Sequence, residues 1–158
     1  SNTIFRDSVS EQRYIEVQAV SENPRQQPTV QFTIPNTLAA KYNVYCIFAP
    51  SCAYMDGVKA DSTKVSFYLN YVHNDGKMYE DDVIEISSPT NGTQMTKMFV
   101  TQIDLPFANY SASSFSGPLQ QDNDCVKLRV QTNVDRNETT KFTRIMRIDR
   151  IIFEPVIE

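Results

Sequence analysis

The chain has 158 residues, a net charge of −4 and a hydrophobic fraction of 41%. That length can bury a full core within one domain, and no apolar run approaches the ~20 residues of a membrane-spanning helix. The acidic balance, with no basic block, lacks the electrostatic footprint that nucleic-acid binding needs.

Residues 1–10 are polar and are read as a flexible N-terminal segment; residues 11–158 are read as a single domain. A chain opening at Ser1-Asn2 leaves room for a targeting segment already removed. Residues 12–20 (QRYIEVQAV) put Ile15, Val17 and Ala19 on one face and predict a first strand. Residues 21–28 carry two prolines and form a loop.

The densest apolar stretch is 29–50. Val30, Phe32 and Ile34 alternate with Gln31 and Thr33, as in a half-buried strand. Val44, Cys46 and Phe48 alternate with Tyr45 and Ile47, so both faces of that strand are apolar. Pro35 ends the first strand because it has no N–H to give to a ladder. Leu38, Ala39 and Ala40 predict one helical turn before Tyr42, and the two strands are expected to be a central pair of the core.

Residues 51–62 read as a polar connection with a turn signal at Asp56-Gly57. Residues 63–72 alternate strongly, with Val65, Phe67, Leu69 and Tyr71 on one face. Residues 73–77 (HNDGK) predict a hairpin turn in which Gly76 takes φ > 0. The return strand, 78–86, is interrupted by Glu80-Asp81-Asp82. Residues 96–107 are expected to point Phe99, Thr101, Ile103, Leu105 and Phe107 inward. Residues 108–124 form a long polar loop, the kind of segment that often carries function. Val126, Leu128 and Val130 mark a further strand. In the last strand, 144–155, parity changes between Ile148 and Ile151, which predicts a bulge at Asp149-Arg150.

The result is about eight or nine strands at antiparallel spacing, with no convincing helix and no repeat. The fold class is all-β, a two-sheet antiparallel β-sandwich of jelly-roll type. The three cysteines, Cys46, Cys52 and Cys125, lack metal-ligand spacing. Cys46 reads as a small buried apolar residue, and sequence leaves the disulfide state of the three open.

Two segments carry a resemblance. The strand–proline–turn pattern over 30–48, and the ending RIDRIIFEP over 147–155, resemble the jelly roll of carbohydrate-binding modules and galactose-binding-like domains. Ile34-Pro35-Asn36-Thr37-Leu38 with Tyr42-Asn43-Val44-Tyr45 also looks like a region of fasciclin-repeat surface proteins of gut Bacteroides. The strand pattern covers most of the chain, its specific motifs about a fifth. The resemblance implies an exported protein of the cell surface, outer membrane or periplasm, with a lipid anchor elsewhere and no membrane insertion by this domain. It also implies a structural calcium as the one cofactor to consider, with Glu16 and Asp149 as its candidate ligands.

Catalytic machinery is not visible. His73 is the sole histidine, and beside a hairpin tip it reads as a solvent-exposed turn residue. No nucleophile elbow, zinc motif or phosphate loop is present. Glu80-Asp81-Asp82 and Asp122-Asn123-Asp124 offer carboxylates, more simply read as solvated turns. Sugar binding uses exposed aromatic faces, and the candidate ligand-binding residues are Tyr54, Tyr79, Asn109 and Tyr110, in or beside loops. The expected function is a non-catalytic accessory domain binding a glycan or a protein partner. The alternative is a structural domain that packs against others of a larger surface protein; a glycoside-active enzyme is disfavoured.

Overall fold

The structure, a computed structural model, describes residues 14–18, 26–34, 37–51, 53–55, 58–60, 62–86, 88–108 and 126–157, with backbone alone at 53–55 and 58–60. Its strands are β1 (Ile15–Val17), β2 (Thr29–Ile34), β3 (Ala40–Phe48), β4 (Ala53–Met55), β5 (Val58–Ala60), β6 (Val65–Val72), β7 (Met78–Glu80), β8 (Ile84–Glu85), β9 (Thr96–Leu105), β10 (Val126–Thr132) and β11 (Met146–Pro155). They form a two-sheet antiparallel β-sandwich. One sheet has the order β1-β11-β3-β9; the other has β2-β10-β6-β7, with β8 also on β6. β4 and β5 make a separate two-stranded hairpin. A 3₁₀ turn at Arg136–Glu138 is the sole helical element among the described residues.

Period-2 apolar patterning builds the core. β3 contributes Val44, Cys46 and Phe48; β6 contributes Val65, Phe67 and Leu69; β10 contributes Val126, Leu128 and Val130; β11 adds Met146 and Ile148. All are buried, at about 1.5–3 kcal/mol for each large side chain taken out of water. Phe48 and Phe67 meet across the two sheets with ring centroids 6.5 Å apart. Cys46 is a free thiol within this core, and burial pushes its pKa up; Cys52 and Cys125 lie outside the described residues.

Polar groups close one end of the sandwich. Thr90 Oγ1 accepts from the Thr63 amide at 2.9 Å and lies 2.6 Å from Ser51 Oγ. All three residues are buried, so the network satisfies groups that would otherwise be costly to desolvate.

Several expectations need correction. β2 and β3 do not pair: β2 is an edge strand of one sheet and β3 is central in the other, so the link between them crosses the sandwich. Ala40 is not helical. It begins β3, opposite Leu105, because cross-strand pairing outweighs the weak helical preference of two alanines. The 51–62 connection contains the β4–β5 hairpin; Asp56-Gly57 lies outside the described residues.

The face reading of β9 fails in its first half. Val44 pairs with Thr101 and Tyr45 with Phe99, which leaves Val100 extra. Parity flips at this bulge, so Met98 and Val100 are buried with Ile103 and Leu105, and Phe99 points out, 50% exposed. Phe107 is also exposed. The bulge expected in β11 is present, as a register shift between Ile148 and Arg150.

Candidate functional site

The β6–β7 hairpin carries the most organised group of polar and aromatic side chains among the described residues. Its turn closes by a bond from the Gly76 amide to the His73 carbonyl at 2.9 Å. Gly76 sits at φ 78, where a side chain would be strained. The Lys77 amide donates to Asp75 Oδ1 at 2.9 Å. These bonds fix the register, which places Tyr71 opposite Tyr79.

His73 lies between those two tyrosines. Its ring is 4.0 Å from Tyr71 at 20°, and 3.6 Å from Tyr79 at 9°. The three rings form a stack, with His73 as the filling. His73 Nδ1 lies 2.9 Å from the Tyr71 carbonyl oxygen, and Nε2 lies 2.7 Å from Asp81 Oδ1. The carbonyl only accepts, so Nδ1 carries the hydrogen of that bond. Asp81 is itself placed by its amide, which donates to the Leu69 carbonyl at 2.8 Å. The side chain of His73 is only 15% exposed, which corrects the reading of it as a solvent-exposed turn residue. Flanking aromatic faces and a carboxylate give the imidazole more than water does.

Tyr71 lies at the inner edge of the stack, packed against the core. Burial, first, and then the charge and hydrogen bond of Asp81 push its phenol up to about 12; Tyr79 and Asp104 add to the shift. Asp104 belongs to β9 of the other sheet, and β6 packs against β9. The stack therefore sits at the lateral opening between the two sheets. Tyr79 forms its outer end. One face of Tyr79 rests on His73 and the residue is 47% exposed, so a rigidly backed aromatic surface meets solvent beside a carboxylate. Next to it, Glu80 reaches Arg129 Nη2 at 3.5 Å.

Of the ligand-binding candidates, Tyr79 is the one described in full. The side chain of Tyr54 on β4, and Asn109 and Tyr110, lie outside the described residues. Sequence alone does not bring His73 and Asp81 to Tyr79. The signal that points towards it is the hairpin: centred on Asp75, it pairs 71 with 79 and folds His73 between them.

The two candidate calcium ligands are placed differently. Glu16 lies opposite Arg147 and accepts from its Nε at 2.9 Å. Arg147 also donates from Nη1 to the Pro50 carbonyl at 3.1 Å. A guanidinium thus supplies the positive charge that Glu16 faces. Asp149 sits at the β11 bulge, 3% exposed in its side chain, with Arg150 Nε 3.8 Å away. Among the described residues no group of three or more His, Cys, Asp and Glu is gathered to hold a metal ion; Asp122 and Asp124 lie outside them. Nor, among those residues, is any helix long and apolar enough to cross a membrane.

No protein-family model matches the chain, and no curated protein or solved structure matches it.

Proposed function

We propose that this domain is a non-catalytic recognition module that takes a sugar ring on Tyr79, as an accessory domain of an exported cell-envelope protein. The observation that carries the reading is the exposed Tyr79 ring, backed by His73 and Tyr71. A pyranose presents an apolar CH face to such a surface, and its hydroxyls seek nearby acceptors. Asp81, held against His73 two residues beyond Tyr79, offers a carboxylate oxygen beside the ring. Because the ring is already held in a stack, little side-chain freedom is lost on binding.

The strand order supports the same reading. With β7 and β8 taken as one interrupted strand and β4–β5 as an insertion, the strand orders β1-β11-β3-β9 and β2-β10-β6-β7 are ones a jelly roll would have. That order fits the resemblance to carbohydrate-binding modules, and the envelope setting follows from the same resemblance.

The test is a glycan array followed by ¹H–¹⁵N NMR titration of wild type and Tyr79→Ala. Shifts centred on the 71–81 hairpin in wild type, lost in the variant with its fold intact, are expected. An array without hits, or a hit whose shifts avoid this hairpin, rejects the site.

A further inference from the structure

The outer faces of the two sheets differ. On the five-stranded sheet the outward rows are polar: Thr33, Lys127, Asn70 and Glu80 lie in register, and Tyr68 in the next row is capped by the Arg129 guanidinium at 4.0 Å. That is a face finished for water. On the four-stranded sheet, Ile152, Tyr45 and Phe99 lie in register across β11, β3 and β9, and all three point away from the core. Tyr45 and Phe99 meet edge to face at 5.6 Å. An apolar row running across three strands is unusual for a sheet face that meets only water.

The rows on either side of it carry opposite character. On one side, Arg150 and Lys97 lie in register on either side of the buried Ile47, with Lys97 Nζ leaning over the Tyr45 ring at 4.4 Å. On the other, Glu154, Asn43 and Gln102 are in register, with Gln102 Nε2 donating to Asn43 Oδ1 at 3.0 Å. One row beyond, Lys41 and Asp104 face each other and balance. Along the strand direction the face therefore runs basic, apolar, acidic and amide.

We propose that this face is the contact between two copies of the chain, packed sheet to sheet about a two-fold axis that lies along the Ile152–Tyr45–Phe99 row. Such an axis reverses the strand direction and leaves the order of strands unchanged. The apolar row then meets itself. Arg150 of each copy comes opposite Glu154 of the other, and Lys97 comes opposite the Gln102 amide. The surface is self-complementary in the sense an isologous interface requires, and facing sheets of a sandwich pack in the same way. This inference is independent of the sugar site, which lies on the other sheet.

Sedimentation equilibrium of the full chain tests it. Wild type is expected to form a dimer, and Phe99→Ser a monomer with an unchanged circular dichroism spectrum. Arg150→Glu and Glu154→Arg, each alone, set like charges opposite one another and should weaken the dimer at least about tenfold. The combined Arg150→Glu, Glu154→Arg variant should return to within about threefold of wild type, because the swap restores both cross-pairs. Glu154→Arg lies away from the buried Asp149, so a folding defect in Arg150→Glu does not remove the test. A chain monomeric up to about 0.5 mM overturns the proposal. So does a dimer that Phe99→Ser leaves intact, or a double variant as weak as the singles.

Discussion

The ring of His73 lies 3.6 Å from that of Tyr79 and within 9° of parallel, while its Nε2 lies 2.7 Å from the carboxylate of Asp81. One side chain thus ties the exposed tyrosine of the hairpin to the start of the segment that follows β7. Replacing His73 by Ala removes two ring stacks and two hydrogen bonds from a largely buried group. The expected cost is about 2 kcal/mol. His73→Phe should keep the stacking and lose the bonds, and so fall between Ala and wild type. Urea unfolding at neutral pH reads both.

Tyr71 makes stability fall at alkaline pH. Its phenol is raised to about 12 in the folded chain, against an ordinary value near 10. Between these values the unfolded chain releases the proton and the folded chain keeps it. The contribution is complete below about pH 10 and is lost as pH rises towards about 12. Urea midpoints at pH 9 and pH 11 should therefore drop more in wild type than in Tyr71→Phe, which has no proton to lose there.

The bulge in β9 gives neighbouring residues opposite sensitivities. Phe99→Ala, on the outer face, should change the stability of the monomer by no more than about 0.5 kcal/mol. Val100→Ala, which is buried, should cost about 1–3 kcal/mol. Thermal melts of the two variants, run at a concentration where the chain is monomeric, distinguish this register from the unbulged one, which predicts the reverse.

Thr90 holds the closed end of the sandwich through its hydroxyl. Thr90→Val keeps the shape but leaves the Thr63 amide without its side-chain acceptor and takes a partner from Ser51. The expected loss is about 1–3 kcal/mol. Thr90→Ser, which keeps the oxygen, should recover most of it. Hydrogen exchange at the Thr63 amide should accelerate in the Val variant alone.

The sequence was most legible where alternation is local. β6 and β10, the hairpin turn with Gly76, and the change of parity in β11 all follow from spacing, because a period of 2 writes burial directly into the chain. Phe99 shows the limit. A bulge in β9 shifts the phase without any local residue marking it, so an aromatic at an inward count ends outside. The position of β2 shows another limit. Its apolar face says that it is half-buried, but its partner β10 lies about a hundred residues away in sequence, and alternation does not name partners. The candidate site was legible only in part. Tyr79 stands out as an aromatic near a loop, but the burial of His73 needs the hairpin to be closed before the three rings can be seen as one object. Glu16 shows a third limit: sequence does not tell that its neighbour across the strands is Arg147.

β11 is the last of the described strands in chain order, and it lies between β1 and β3 in its sheet. During synthesis, β1, β3 and β9 leave the ribosome with the central place in their sheet still vacant. Until β11 arrives, β3 has an open edge next to its core-facing Val44, Cys46 and Phe48, a surface prone to pairing with the wrong strand. Nascent or truncated chains that stop before residue 146 should therefore be the ones that engage chaperones or aggregate. Completion of the sheet becomes a late, all-or-none step governed by the final strand.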